Sequence, residues 1–315
     1  MHSLEPEIRQ LHAEGLLDDE TASRAAALDR GDVFSVFAEV RLLLYAGVSL
    51  VTGGVGMLLA RNLDRIGPLA IVLGLAAAAL LCAVPAIRAR LRGDTPSTAA
   101  DYLLLLAVLL VSADLGYAEH EFALLGPLWS RHLLILAVFH AVVAYAFRSS
   151  LVLGASLSAL VGWFGVANAV GRMPFIDLPS SALAGRALLC AAVIGAWRVA
   201  DRFRDHESRF TPVFDHFAIN VAFWGALAWC NVNSWSVAGL LLVAVLAGLA
   251  ITLALRTGRE AFLVYGVVYA AFGLCLVVVP QMSGDRSTAG FILLVVCGAA
   301  AALWTLRQQL RERKP

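Results

Sequence analysis

Ten apolar stretches of 16 to 22 residues run from Val40 to Leu306, separated only by short polar connections. They fall at 40–60, 67–87, 101–118, 132–147, 149–170, 182–200, 215–230, 235–255, 261–280 and 288–306. A helix crosses ~30 Å of hydrocarbon with about 20 apolar residues, in a range of about 17–25. Hydrocarbon offers no water to an unpaired N–H or C=O, which excludes open sheets and leaves helices. The sequence therefore predicts an all-α, polytopic membrane helix bundle of about ten transmembrane helices. Composition agrees. Hydrophobic residues make up 60% and charged residues 15%, against about 25% charged in soluble domains. The formal net charge of +1 gives no basic excess of the kind that nucleic acid attracts. Two stretches, 132–147 and 215–230, have 16 residues each, and only Arg148 separates the fourth from the fifth, which demands a tight turn.

The basic residues orient this bundle. Cytoplasmic connections of membrane proteins carry an excess of Lys and Arg. With the N-terminus inside, the outer loops hold Arg61, Arg65, Arg131, Arg172, Arg186 and Arg286, and the other 18 of the 24 basic residues lie inside. Both termini are then cytoplasmic (N-in/C-in), as an even number of spans requires. Trp129, Trp229 and Trp235 fall near outer ends, Trp197 and Trp304 near inner ends, as interfacial aromatics do. Three regions follow: a helical cytoplasmic segment at 1–39, a membrane domain at 40–306, and a basic cytoplasmic tail at 307–315. Residues 1–39 are rich in carboxylates and patterned as two short helices that break at Gly15 and restart at Asp18, Asp19 and Glu20, where acidic side chains favour a helix N-terminus. The first apolar run is too long for a signal-peptide core and reads as a permanent anchor.

Chemistry has little to work with. Cys82, Cys190, Cys230, Cys275 and Cys297 each lie inside an apolar run without C-x-x-C spacing, so each reads as a small apolar filler and no disulfide or metal is expected. No P-loop, G-x-S-x-G or H-E-x-x-H occurs. Ionisable side chains at membrane depth are costly and therefore functional candidates. Asp114, in the third span, and His140, near the middle of the fourth, form the candidate intramembrane polar site. Two readings stand for them: a structural hydrogen bond between neighbouring helices, or a proton relay or cation site. Glu119, His120 and Glu121 with His132 match no ligand spacing and are set aside as a metal site. Asp215 and His216 point about 100° apart on a helix and read as interface anchors. Asn168 and Asn220 could bond across helices, and Glu260 beside Arg259 reads as a surface pair. Small residues four apart, Ser49/Gly53, Gly56/Ala60, Ala244/Gly248 and Gly298/Ala302, are assigned to helix packing within the chain, with a dimer face as the alternative.

The stretch Leu11-His12-Ala13-Glu14-Gly15-Leu16-Leu17-Asp18-Asp19-Glu20, followed by a Gly-rich first span ending in Ala60-Arg61-Asn62-Leu63, resembles a family of uncharacterised bacterial predicted membrane proteins, a domain of unknown function. The family often has Trp where Leu63 stands. The resemblance covers about the first 65 residues and implies a bacterial inner-membrane protein. It brings no reaction, cofactor or catalytic residue. The expected role is non-enzymatic, a scaffold or envelope component in contact with the lipid bilayer, with 1–39 as a docking site for a protein partner. The alternative is a small-molecule transporter, since ten spans with both termini inside resemble drug/metabolite transporters built of two inverted five-span halves. An intramembrane enzyme would have to start from Asp114 and His140. No cofactor is expected, and oligomeric state stays open.

Overall fold

The computed structural model describes residues 11–15, 18–19, 21–23, 25, 37–62, 67–93, 97–123, 131–165, 181–204, 209–231 and 236–312. Every regular element among them is helical. The long helices are α1 (Phe37–Asn62), α2 (Pro68–Arg92), α3 (Thr98–Phe122), α4 (Arg131–Phe147), α5 (Ser150–Trp163), α6 (Ser181–Arg204), α7 (Thr211–Cys230), α8 (Ser236–Thr257), α9 (Glu260–Val278) and α10 (Asp285–Glu312), with a 3-10 turn at Val279–Gln281.

Local chemistry sets the boundaries. Pro68 opens α2, where its missing N–H has no helical partner to lose. Gly93 closes it in the left-handed region at φ 74°, its N–H on the last-turn carbonyls. The Ser97 hydroxyl caps α3 by accepting from Ala100 N at 3.2 Å. The tight turn between α4 and α5 is made by Arg148, itself left-handed at φ 55°. Ser149 N donates to Ala144 O at 3.0 Å, and the Ser149 hydroxyl then caps α5 by accepting from Val152 N at 3.2 Å. One residue thus ends a helix and the next starts another. In the N-terminal segment Gly15 is left-handed at φ 71°, and Asp18 Oδ1 accepts from Thr21 N at 2.8 Å.

The helices pack chiefly as neighbours: α2 with α3, α4 with α5, α6 with α7, α8 with α9. Two helices act as hubs. α3 also meets α1, α4 and α5, and α7 also meets α5, α8 and α9. The main core lies between them, where Leu153, Leu157, Ile194 and Phe214 are fully buried. A second core joins α7, α8 and α9 around Phe223 and Val243. A third seats Ile71, Leu75 and Ala79 of α2 against Leu106 and Leu110 of α3. The outer surfaces are apolar: Leu42 and Leu43 on α1 and Leu293 and Leu294 on α10 are exposed, as lipid-facing side chains are.

Among the described residues, seven helices are long and apolar enough to cross a membrane, namely α2, α3, α6, α7, α8, α9 with its 3-10 turn, and α10. Three further apolar helices, Leu42–Leu58 within α1, α4 and α5, are shorter. At 1.5 Å per residue the 14 residues of α5 reach only about 21 Å. Its expected continuation to residue 170 lies outside the described residues beyond Gly165, as do Trp129, Asn168, Trp235 and Leu63.

The small-residue expectation needs correction. A methyl group added at Gly53, Gly56, Gly248 or Gly298 would meet nothing within 4 Å, so these glycines do not bring helices together in the fold. The close approaches are at other glycines. A Cβ at Gly239 would strike the backbone of Cys230 and lie 2.7 Å from Trp229 C; one at Gly266 would lie 3.0 Å from Ala247 O. Four-residue spacing marks a stripe along a helix but not which way it faces.

Candidate functional site

α3 carries Asp114 on one face and meets His140 of α4 on another. His140 on α4 is 2% exposed. Its Nε2 lies 3.1 Å from Ser112 Oγ and 3.2 Å from Val108 O, both on α3. Ser112 Oγ itself donates to Val108 O at 2.8 Å. A carbonyl can only accept, so Nε2 carries the proton and donates to Val108 O and to the Ser112 oxygen. Nδ1 is enclosed in the bundle. Val108 and Ser112, four apart, form the face of α3 that meets α4. Asp114 follows Ser112 by two residues, about 200° around the helix. It falls on the stripe of Leu110, Val111 and Tyr117, which packs toward α2. Its Oδ1 is buried with no hydrogen-bond partner. No hydrogen bond joins Asp114 to His140. Of the two readings, the geometry of His140 fits the interhelical tie: an imidazole bound to a carbonyl and a hydroxyl of the neighbouring helix.

Larger polar constellations gather elsewhere. At the end of the bundle where α6 turns into α7, Asp215 forms ion pairs with Arg198 of α6 and with Arg259, the residue before α9, the latter at 3.0 Å. One carboxylate thus joins three elements. His216, pointing the other way, shares a hydrogen bond with Tyr265 of α9 at 3.1 Å and stacks on Phe262. One turn along, Asn220 Nδ2 donates to His216 O at 2.7 Å, and Tyr269 O–H donates to Asn220 Oδ1 at 2.7 Å. Asn220 therefore does bond across helices. Glu260 and Arg259 do not form a pair: Arg259 turns inward to Asp215, while Glu260 faces Arg307 of α10 at 3.5 Å. The two residues are adjacent but start α9, where successive side chains diverge by about 100°.

A further group joins α4 to α6 at this end. Trp197 Nε1 donates to Tyr145 Oη at 3.1 Å, and Tyr145 O–H donates to Asp201 Oδ1 at 2.7 Å. Asp201 is 4% exposed. Arg209 donates to Arg148 O at 3.1 Å, and Arg90 sits 5.4 Å over the Phe147 ring. Sequence reasoning missed Asp201, Tyr145, Tyr265 and Tyr269. A signal was present for one pair, since Trp197 and Asp201 are four apart and share a face. The tyrosines look like interfacial or core aromatics until their partners are known. Among the described residues no three His, Cys, Asp or Glu side chains gather as a metal site.

The polar inventory is one of ties between helices, placed in a bundle of apolar helices, and the sequence comparisons point to the same class. Residues 9–153 match the family described as Predicted membrane protein (DUF2157). The matched stretch runs well past the Gly-rich first span, through α1 to α4 and into the first turn of α5. Asp114 and His140 both lie within this DUF2157 region, whereas Asp201, Asp215 and the tyrosines of α9 lie beyond it. No curated protein and no solved structure matches the chain.

Proposed function

We propose that this chain is a multi-pass protein of the bacterial inner membrane, with ten spans and both termini in the cytoplasm, and that its role is non-enzymatic. It acts as a membrane scaffold, with residues 1–39 as the docking element for a cytoplasmic protein. The observation that carries this reading is that polar side chains within the bundle hold helices together: His140 to Val108 and Ser112, Asn220 to Tyr269, His216 to Tyr265. Orientation is supported by the end of the bundle that joins Arg90, Arg148, Arg198, Arg209, Arg259 and Arg307 through the contacts above. Gathering basic residues on one side fits the cytoplasmic face.

The competing reading is a transporter of two five-helix halves. Such halves would relate α3 to α8 and make α8 the second hub. The second hub is α7, and the packing of α1 on α3 has no counterpart of α6 on α8 among the substantial contacts. Native thiols distinguish the two readings. Cys190 and Cys230 are buried in the bundle. In variants retaining one of them, a water-soluble maleimide should label neither thiol from either side of inverted or right-side-out vesicles. Labelling of either thiol without detergent would reveal a water path and favour transport.

A further inference from the structure

Every helix pair in substantial contact has a counterpart four helices further along. α2/α3 answers to α6/α7, α4/α5 to α8/α9, α3/α4 to α7/α8, α3/α5 to α7/α9, α1/α3 to α5/α7 and α5/α6 to α9/α10. From this pattern we infer that the membrane domain is a tandem duplication. α2–α5 and α6–α9 are two copies of one four-helix unit, and the second unit, beyond the DUF2157 match, is a diverged copy of the first.

Residue-level geometry supports this independently. Ala247 follows Ala137 by 110 positions, and that spacing aligns the whole second hairpin with the first. Ala137, His140 and Ala144, all buried on α4, fall on Ala247, Ala250 and Ala254, all buried on α8. The left-handed turn residue Arg148 falls on left-handed Gly258. The N-caps Ser149 and Arg259 coincide. Buried Val152, Leu153, Ser156 and Leu157 fall on buried Phe262, Leu263, Gly266 and Val267. One close contact repeats as well. Ser156 Oγ donates to Ala137 O at 2.6 Å, and a Cβ on Gly266 would lie 3.0 Å from Ala247 O. In the first hairpin of each unit the segment Ala79-Leu80-Leu81-Cys82-Ala83 recurs as Ala187-Leu188-Leu189-Cys190-Ala191. Ala79 and Ala187 are both buried, as are Ala86 and Ile194 at the same spacing.

A shift by four preserves helix direction, so the units stand parallel in the membrane, related by rotation about its normal. This differs from the inverted arrangement that five-helix halves would require. The units have diverged in polar content. The His140 position holds Ala250 in the second unit, while Tyr265 and Tyr269 correspond to Ala155 and Ala159 in the first. Each unit therefore carries an interhelical polar tie in a different place, one across α3 and α4, the other across α7 and α9.

The test exploits one exchanged pair. Ser156 bonds Ala137 O, and Ala141 stands at the position that corresponds to Ile251; at Gly266, Ile251 fills the space, 2.9 Å from where a Cβ would be. The full-length protein is purified in detergent and its melting temperature read. Gly266→Ser alone and Ile251→Ala alone should each lower it. The double variant, which rebuilds the first unit's geometry, should melt above both. The reciprocal exchange, Ser156→Gly with Ala141→Ile, should behave the same way. Losses that simply add in both units would overturn the equivalence. Should any single variant fail to fold, an experimental structure provides the readout. Residues 133–160 should superpose best on 243–270 among all registers, and a better fit at another register would contradict the duplication.

Discussion

Arg148 occupies a backbone conformation that glycine adopts freely and other residues adopt at a cost of roughly 1–2 kcal/mol. It is exposed, and its carbonyl, not its side chain, accepts from Arg209. Arg148→Gly should therefore raise stability by up to about 1 kcal/mol, read as a higher melting temperature in detergent. An unchanged or lower value would mean that the guanidinium contributes more than the strain costs. Asp215 behaves oppositely. It is the shared partner of two arginines and its side chain is 10% exposed. Asp215→Asn leaves Arg198 and Arg259, each about a third exposed, facing each other and should cost about 1–2 kcal/mol. Arg198→Gln leaves Arg259 still paired, so its loss should be the smaller of the two. Equal losses from both variants would show that Asp215 depends on Arg198 alone. Little of this was legible beforehand. The sequence places an Asp at the start of a helix, but which arginines reach it depends on how α6 and the start of α9 pack around α7.

Helix positions were far more readable. The apolar stretch 132–147 became α4 at Arg131–Phe147, and 235–255 became α8 at Ser236–Thr257. Burial of twenty apolar residues in lipid overrides local propensity, so hydropathy alone finds these elements. Direction of faces was not readable, because a helix that is apolar all round carries no amphipathic stripe to say which side meets protein. This is why His140 and Asp114, both at plausible depth, belong to different interfaces, and why the glycine stripes proved open. Gly239 on α8 and Gly248 one face away test the point. Gly239→Ala drives a methyl group into the backbone of α7 and should cost about 1–3 kcal/mol. Gly248→Ala meets open space and should be neutral or stabilising by about 1 kcal/mol through helix propensity. Thermal melts of the two variants that do not differ would refute the packing of α8 on α7.

At the scale of the whole molecule, the described polar side chains form a network at one end of the bundle while the lateral surface is apolar. Asp201, Asp215, Glu260 and their partners tie α4, α6, α7, α9 and α10 there. The sequence made this end visible as an excess of arginine at alternate connections, but not as a network. In the proposed topology this end faces the cytoplasm and the chain crosses the membrane ten times. Paired reporter fusions, one enzyme active only in the cytoplasm and one only in the periplasm, read it directly. Fusions after Gly93 and Glu207 should give cytoplasmic signals, and fusions after Leu125 and Ser180 periplasmic ones. Reversal at any two of these four sites would contradict the topology.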